Sequence, residues 1–325
     1  MQELARALDR KIGQPIRALV DDATQLLVSP DGELNLIPFE ALADEQGRYL
    51  VKRYSISYLT AGRDLLRRQF GRTSKTRPVI LADPLFGEPQ ITQAARSRTQ
   101  RRSITTGEDL SNVYFAPLPG TAEEARSIQS LFPEAELLTG RQATKASLKR
   151  VEAPAILHNA THGFFLDDRS EQPPDQPAKP GKLEDPLLRS GLALAGANRI
   201  KSGSVDGILT ALEASNLNLW GTKVVTLSAC ETGVGQVQNG EGVYGLRTAF
   251  FLAGAETLVM SLWAVSDRLT REMMAAYYTG LKQGLGRGEA LRRAHLAMLK
   301  RKDRQHPYYW ASFIQSGDWT NLDGK

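Results

Sequence analysis

At 325 residues the chain is long enough to bury a large core, and an apolar fraction of 41% with 24% charged residues excludes a disordered protein. The net charge of +5 comes from basic residues scattered among acidic ones, which disfavours direct binding of nucleic acid. A single cysteine excludes an internal disulfide, no apolar run approaches the length of a membrane helix and the N-terminus lacks the order of a signal peptide, so we expect a cytoplasmic protein.

The first part of the chain predicts a helix followed by a β-hairpin. An amphipathic helix ends before Gly13-Gln14-Pro15, and "LLVSPDGELNLIPFEAL" then predicts a strand, a Pro-Asp-Gly turn and a second extended piece. The strand-like run "YLVKRYSISYLT" and a short helix over residues 63–70 follow. We group residues 1–76 as an N-terminal subdomain.

From residue 77 onward, predicted strands alternate with predicted helices. Strand-like runs include "RPVILADP", "APAILHNATHG", "TKVVTLSAC" and "ETLVMSLWAV". The helix over "TAEEARSIQSLF" opens with a capping box of Thr121 and Glu124, and two amphipathic helices close the chain. Residues 87–112 and 166–186 predict loops. This alternation favours one α/β domain over residues 77–325, with a mostly parallel sheet covered on both faces.

The only cysteine, Cys230, and a histidine, His162, each follow a predicted strand, where parallel sheets form their sites. A lone cysteine is often only a small buried apolar residue. Here glycines follow it, and an imidazole at a second strand end could lower the pKa of the thiol. His158 lies roughly 13 Å back along the same strand as His162, so both cannot reach one sulfur. A packed or supporting role suits His158 better.

The glycine-rich stretch after Cys230 fails as a cofactor site. A P-loop would need lysine and a hydroxyl residue where Glu241 and Gly242 stand, and a dinucleotide fingerprint would need glycine at Gln238. A cysteine phosphatase would need arginine at Gln236. His158 and His162 have the spacing of a zinc helix, but their surroundings predict a strand. We therefore expect thiol chemistry with no metal and no cofactor.

The segments "HNATHGFF" and "LSACETGVGQVQNGEGVYGLRTAFFLAGAETLVMSLWAVSD" resemble the two signatures of CHAT-domain peptidases, of the caspase, legumain and separase clan. "SPDGELNLIPFEAL", "LPGTAEEARSI" and "HPYYWASFIQSGD" resemble the same domain, so the similarity runs from about residue 24 to 318. The resemblance implies a caspase-like three-layer α/β sandwich, with the N-terminal hairpin and helix as a small addition.

The resemblance also implies the catalytic residues. Cys230 would attack the scissile carbonyl and form a thioester, while His162 manages the proton. The backbone N–H groups of Gly163 and Cys230 would form the oxyanion hole.

Specificity depends on the residues around the cysteine. In relatives the residue two positions before it lines the pocket for the side chain that precedes the cut, and here that residue is the neutral Ser228. Asp267, Asp83 and Glu231 are further candidates for substrate binding. Asp267 could instead cap the helix that follows it. A basic or polar side chain before the cut is the resulting expectation.

The function implied is a cysteine endopeptidase that cleaves a specific partner protein. Related bacterial proteins act in antiphage defence and programmed cell death, and their CHAT domains often follow helical repeats, which this sequence lacks. Regulation would then come from an activating protein partner or from homo-oligomerisation, with no membrane involved. The alternatives are a non-catalytic scaffold with the same fold, and a thiol-dependent transferase or esterase that uses the same dyad.

Overall fold

The computed structural model describes residues 2–20, 22–67, 72–87, 114–165, 186–199, 207–228, 241–263 and 266–324. The helices among them are α1 (Gln2–Lys11), α2 (Gly13–Arg17), α3 (Asp64–Arg67), α4 (Pro119–Leu131), α5 (Lys145–Lys149), α6 (Pro186–Arg189), α7 (Ala211–Ala214), α8 (Glu241–Leu252), α9 (Asp267–Lys282), α10 (Arg287–Leu299) and α11 (Pro307–Trp310). The strands are β1 (Gln25–Val28), β2 (Ser55–Tyr58), β3 (Val79–Pro84), β4 (Glu136–Gly140), β5 (Ile156–Ala160), β6 (Gly163–Phe165), β7 (Ser190–Ala193), β8 (Ile208–Thr210), β9 (Val224–Leu227), β10 (Thr257–Ser261) and β11 (Phe313–Gly317).

A central eight-stranded sheet has the order β1-β2-β11-β10-β9-β5-β3-β4, and β6, β7 and β8 form a separate antiparallel sheet. In the central sheet only the β10–β11 pair is antiparallel, and every other pair is parallel. The β-branched, apolar strands predicted from the sequence suit such a sheet because both of its faces are covered.

Successive residues of β5 enter different cores. Ile156 and Ala160 belong to the core beneath α4, α9 and α10, whereas Leu157 belongs to the core on the opposite face, beneath α7, α8 and the small sheet. This alternation follows from the two-residue period of a strand. The predicted three-layer sandwich with a mostly parallel sheet is confirmed.

The N-terminal hairpin is the detail that differs. After Pro30, Asp31 accepts a hydrogen bond from the N–H of Gly32 and begins a 3-10 helix, and the Asn35 amide donates back to the carbonyl oxygen of Pro30. The second extended piece is therefore absent, and β1 pairs in parallel with β2. Through β2 and β11 these strands extend the central sheet. The division between residues 76 and 77 stays a prediction.

The start of α4 also differs from expectation. Pro119 occupies the first turn, where its missing N–H carries no cost, so the helix begins before Thr121. The Thr121 hydroxyl donates to the carbonyl oxygen of Leu118, and Glu124 is 2% exposed. The expected capping box is wrong, and Glu124 faces the interior. Across the described ranges, no helix is both long enough and apolar enough to cross a membrane.

Candidate active site

The carboxyl ends of β5 and β9 lie side by side. Asn159 is opposite Leu227 in the parallel register, and the N–H of Ser228 donates to the carbonyl oxygen of Asn159 at 2.9 Å. His162 follows β5 by two residues. Cys230 and Glu231 lie outside the described residues, and Ser228 is the last described residue before them. The strands that lead to His162 and to Cys230 are therefore neighbours.

Aromatic rings and one carbonyl group hold His162. The ring centroids of Phe86 and Phe115 lie 5.3 Å and 5.8 Å from that of the imidazole, and His162 is 7% exposed. Nε2 lies 2.7 Å from the carbonyl oxygen of Ala116. Because a carbonyl oxygen can only accept, Nε2 must carry a hydrogen, and in the neutral ring Nδ1 then keeps its lone pair. Nδ1 is buried and has no hydrogen-bond partner among the described residues.

The small sheet orients the backbone of Gly163. The N–H of Ala193 donates to the carbonyl oxygen of His162 at 2.9 Å, so these two residues form a hydrogen-bonded pair of the antiparallel ladder. The next pair, Gly163 with Leu192, is then a non-hydrogen-bonded one. The N–H of Gly163 consequently points away from β7.

Ser228 is turned into the protein. Its side chain is buried, with the residue 2% exposed, and Oγ donates to Oε1 of Glu124 at 2.7 Å. Sequence reasoning gave Ser228 a place in the substrate pocket, and the hydroxyl is instead engaged by a carboxylate from α4. The role of Ser228 in substrate binding stays a prediction.

Glu124 is the residue at this edge that sequence reasoning misassigned. It lies on the buried stripe of α4 with Thr121, Ala125 and Ile128. That spacing of three and four residues is the signature of a core-facing helix face. An acidic residue on such a stripe is unusual, and the periodicity of α4 was the signal that could have placed Glu124 inside.

Asp83 has a strained backbone at the end of β3. Its φ of +48° lies in the left-handed region that non-glycine residues rarely adopt, and the register with β4 shifts between Ala82 and Pro84. Its N–H donates to Oγ1 of Thr121 at 3.0 Å. Loss of solvent raises the pKa of Asp83, and the charge of Arg126 opposes that shift.

Asp267 is the first residue of α9, and the N-cap position belongs to Ser266, so the capping interpretation of Asp267 is wrong. Its side chain packs on the first turn of α4, where a Cβ placed on Gly120 would come within 2.3 Å of the Asp267 Cβ. Asp83 and Asp267 are both only partly buried. The same helix start thus contacts Asp83 through Thr121 and Asp267 through Gly120.

Among the described residues, carboxylates and histidines at this edge do not assemble a metal site. Within the part of the chain that the structure describes, no three or more His, Cys, Asp or Glu side chains come together in a way that could hold a metal ion.

Comparison with protein families and known proteins gives consistent matches. The profile of the CHAT domain matches residues 2–318. Tetratricopeptide repeat protein 28 of Homo sapiens is 25% identical over 317 residues, which cover 92% of this chain and 12% of that protein. The Mus musculus protein of the same name is 24% identical with the same coverage. The chain therefore spans about an eighth of the length of these relatives.

Two solved structures are also similar. The Arg-specific cysteine proteinase gingipain R (RgpB) of Porphyromonas gingivalis superposes with a TM-score of 0.50 at 11% identity, covering 98% of this chain and 67% of that one. The separase–securin complex of Saccharomyces cerevisiae gives a TM-score of 0.46 at 12% identity, covering 87% of this chain and 14% of that one. The likeness to gingipain R concerns the fold, and the caspase-like fold class is confirmed.

Proposed function

The chain belongs to the CHAT domain family, and on that premise we propose that it is a cysteine endopeptidase with His162 and Cys230 as its catalytic dyad. The observation that carries the proposal is which ring nitrogen of His162 is hydrogen-bonded and which is open. Its Nε2–H is held by the Ala116 carbonyl group, and its Nδ1 is the nitrogen left to accept a proton. A general base needs such a fixed tautomer.

The covalent chain limits how far Cys230 can lie from the end of β9. It follows Ser228 by two residues, so its Cα lies within about 7 Å of the Cα of Ser228. Ser228 is itself hydrogen-bonded to β5, the strand that leads to His162. This reach supports a sulfur–imidazole pair.

Proton transfers in the proposed reaction all pass through Nδ1 of His162. It accepts the thiol proton while the Cys230 sulfur forms a bond to the scissile carbonyl carbon. The N–H groups of Gly163 and Cys230 stabilise the oxyanion, a single donor being worth roughly 3–4 kcal/mol. Nδ1 then returns the proton to the leaving amine as the C–N bond breaks. Water, deprotonated by the same nitrogen, cleaves the thioester and restores the thiol.

The single cysteine makes a direct test possible. Cys230 is the only thiol that iodoacetamide can alkylate, so intact-mass spectrometry follows the fast addition of one label. At pH 6.5 an ordinary thiol of pKa about 8.5 is only about 1% thiolate. We expect wild-type Cys230 to react at least about tenfold faster than N-acetylcysteine, and the His162→Ala variant to lose that advantage. Equal rates for the wild type and N-acetylcysteine would contradict the peptidase and favour the scaffold.

For specificity we propose that Asp83 and Asp267 select a basic side chain before the cut. Both residues are partly exposed and lie at the start of α4, Asp83 through its backbone N–H and Asp267 through its side chain, while Ser228 is neutral and engaged. Gingipain R, which shares the fold, is described as Arg-specific. Glu231, beside the cysteine, completes the proposed set.

Fluorogenic peptides that differ only before the cut test this specificity. We expect arginyl and lysyl substrates to be cleaved in preference to leucyl ones, with Asp267→Asn and Asp83→Asn reducing the preference. Unchanged preference in both variants would assign these carboxylates a structural role. Asp267→Asn keeps the size of the side chain against Gly120 and removes its charge.

We further propose that the substrate is a partner protein in the cytoplasm, and that antiphage defence or programmed cell death is the setting. Activation would come from another protein or from a second copy of the chain. The human relative is named for its tetratricopeptide repeats, which supports activation by another protein. The single cysteine supports a cytoplasmic setting. Labelling of Cys230 with and without a candidate partner, at several protein concentrations, separates these two routes.

A further inference from the structure

Five buried polar side chains lie beneath the end of β9, among mostly apolar neighbours. Each is at most 2% exposed, and they come from four elements. They are Glu124 of α4, His158 of β5, Thr226 of β9, Ser228 just after β9, and Tyr278 of α9. Their neighbours in the same core include Ile80, Ala125, Ile128, Val224 and Val259.

These side chains form one continuous chain of contacts. Ser228 Oγ donates to Glu124 Oε1 at 2.7 Å, and the same oxygen lies 3.2 Å from His158 Nε2. That second contact is an ion-pair distance with the ring N–H off the ideal line of a hydrogen bond. His158 Nδ1 lies 3.1 Å from the Tyr278 hydroxyl, which lies 2.8 Å from Thr226 Oγ1. This series of contacts thus starts at Ser228, just after β9, and ends at Thr226 of β9.

In one arrangement of hydrogens, these polar contacts converge on Glu124 from two sides. Thr226 donates to Tyr278, Tyr278 donates to Nδ1 of His158, and Nε2–H of His158 faces the Glu124 carboxylate. Ser228 donates to that carboxylate from the other side. Glu124 then accepts a hydrogen bond from Ser228 and faces His158 at ion-pair distance, and both contacts are inside the protein. It is not available to a substrate in the way that the partly exposed Asp83 and Asp267 are.

Such a network is a costly way to fill a core. Polar groups lose water on burial, and apolar side chains of similar volume often give equal or greater stability. What a satisfied network provides is a single arrangement of the groups it joins. Ser228 is fixed twice, through its N–H to Asn159 on β5 and through its hydroxyl to Glu124 on α4. It stands two residues before Cys230.

We infer that Glu124 is a positioning residue for the nucleophile, acting through Ser228, with His158 and Tyr278 holding Glu124 in place. The inference rests on the proposed cysteine chemistry and adds to it the group that fixes the end of β9. A displacement of about 1 Å at a reacting group can cost about 100-fold in rate. Loss of the network should therefore affect the reactivity of Cys230 beyond any loss of stability.

Two adjacent tyrosines on α9 provide a matched test. Both are fully buried, but the Tyr278 hydroxyl joins the network, whereas the Tyr277 hydroxyl has no hydrogen-bond partner among the described residues. Iodoacetamide labelling of Cys230 is measured from pH 5 to 9 in Tyr278→Phe and Tyr277→Phe, with thermal unfolding of each. We expect Tyr278→Phe to slow labelling about tenfold at pH 6.5 and to move the rate profile towards that of a free thiol. Tyr277→Phe should leave both unchanged.

Glu124→Gln and Glu124→Ala give a graded second comparison. Glutamine keeps the shape and an acceptor for Ser228, so we expect an intermediate rate, and the slowest labelling in the folded alanine variant. Equal profiles in the wild type, Tyr278→Phe and Glu124→Gln would overturn the inference. So would equal losses in both tyrosine variants, since that pattern indicates general loosening of the core. If wild-type Cys230 itself is no faster than N-acetylcysteine, the proposed function fails, and the inference fails with it.

Discussion

His158 and His162 lie four residues apart on one stretch of chain, and the surroundings of their rings differ. Polar groups face both ring nitrogens of His158, with Tyr278 at Nδ1 and Glu124 at Nε2. At His162 a carbonyl oxygen faces Nε2, aromatic rings cover the imidazole, and Nδ1 has no hydrogen-bond partner among the described residues. A histidine whose two nitrogens both face polar protein groups suits a structural role, and one with an open nitrogen suits proton transfer.

The largest expected effect separates the two histidines by activity. We predict that His162→Gln lowers the rate of peptide hydrolysis about a thousandfold, because general acid–base groups typically contribute 10²–10⁴-fold, with stability nearly unchanged. Steady-state kinetics with an arginyl peptide and urea unfolding measure the two effects. Retention of most of the activity would remove the distinction between the rings.

Among the residues around His158, we expect Glu124 to contribute most to the stability of the folded protein. We predict that Glu124→Ala lowers the free energy of unfolding by about 3 kcal/mol, since the Ser228 hydroxyl and the Nε2–H of His158 would both lose the carboxylate that they face, and each buried polar group left without a partner costs about 1–3 kcal/mol. Its neighbour Glu123 is the control. The Glu123 side chain is 56% exposed and pairs with Arg271, so Glu123→Ala should cost at most about 1 kcal/mol. Similar losses in the two variants, measured by urea unfolding, would contradict the network.

A third histidine shows what burial without a carboxylate does. His295 is fully buried beside Trp310, and loss of solvent lowers its pKa to about 3. The unfolded chain therefore binds a proton there below about pH 6.5 and the folded protein does not. The stability that neutral His295 contributes is complete above pH 6.5 and falls by up to about 1.4 kcal/mol per pH unit towards pH 3.

Replacement of His295 by phenylalanine should remove that slope. We predict that urea unfolding between pH 6.5 and 4 depends less steeply on pH in His295→Phe than in the wild type. The same slope in both proteins would show that His295 is protonated in the folded state.

The smallest effect concerns the opposite face of β5. Asn159 is fully buried, its flanking register partners are Leu81 and Leu227, and its amide atoms have no hydrogen-bond partner among the described residues. Burial of such a group costs about 1–3 kcal/mol in proteins. We predict that Asn159→Leu raises the free energy of unfolding by about 1 kcal/mol, whereas His158→Leu on the network face lowers it. Destabilisation by Asn159→Leu would show that the amide is satisfied.

Much of this architecture could be predicted because it depends on local pattern. Apolar, β-branched runs that alternate with amphipathic helices predicted the parallel sheet. The end of a predicted strand indicated the place of His162. The hairpin could not be excluded from the sequence, because a Pro-Asp-Gly turn and an Asp31-capped 3-10 helix begin with the same residues. Glu124 was misplaced because a local capping rule was preferred to the buried stripe of α4.

The tertiary contacts of the site could not be predicted. Neither the carbonyl oxygen of Ala116 at His162 nor the approach of Asp267 to Gly120 leaves a local trace, because each joins segments far apart in the chain. Such contacts depend on how α4 and α9 pack over the sheet. The contact of Ala116 with Nε2 is the one that leaves Nδ1 of His162 open.

The protonation of that ring gives the most direct test of the account. The chain has four histidines, so a long-range 1H–15N spectrum of 15N-labelled protein can be assigned with one substitution for each. We predict that neutral His162 carries its hydrogen on Nε2, and that the Nδ1 resonance shifts in Cys230→Ala. The role assigned to His162 would be contradicted if neutral His162 carried its hydrogen on Nδ1, or if the Nδ1 resonance were the same in Cys230→Ala as in the wild type.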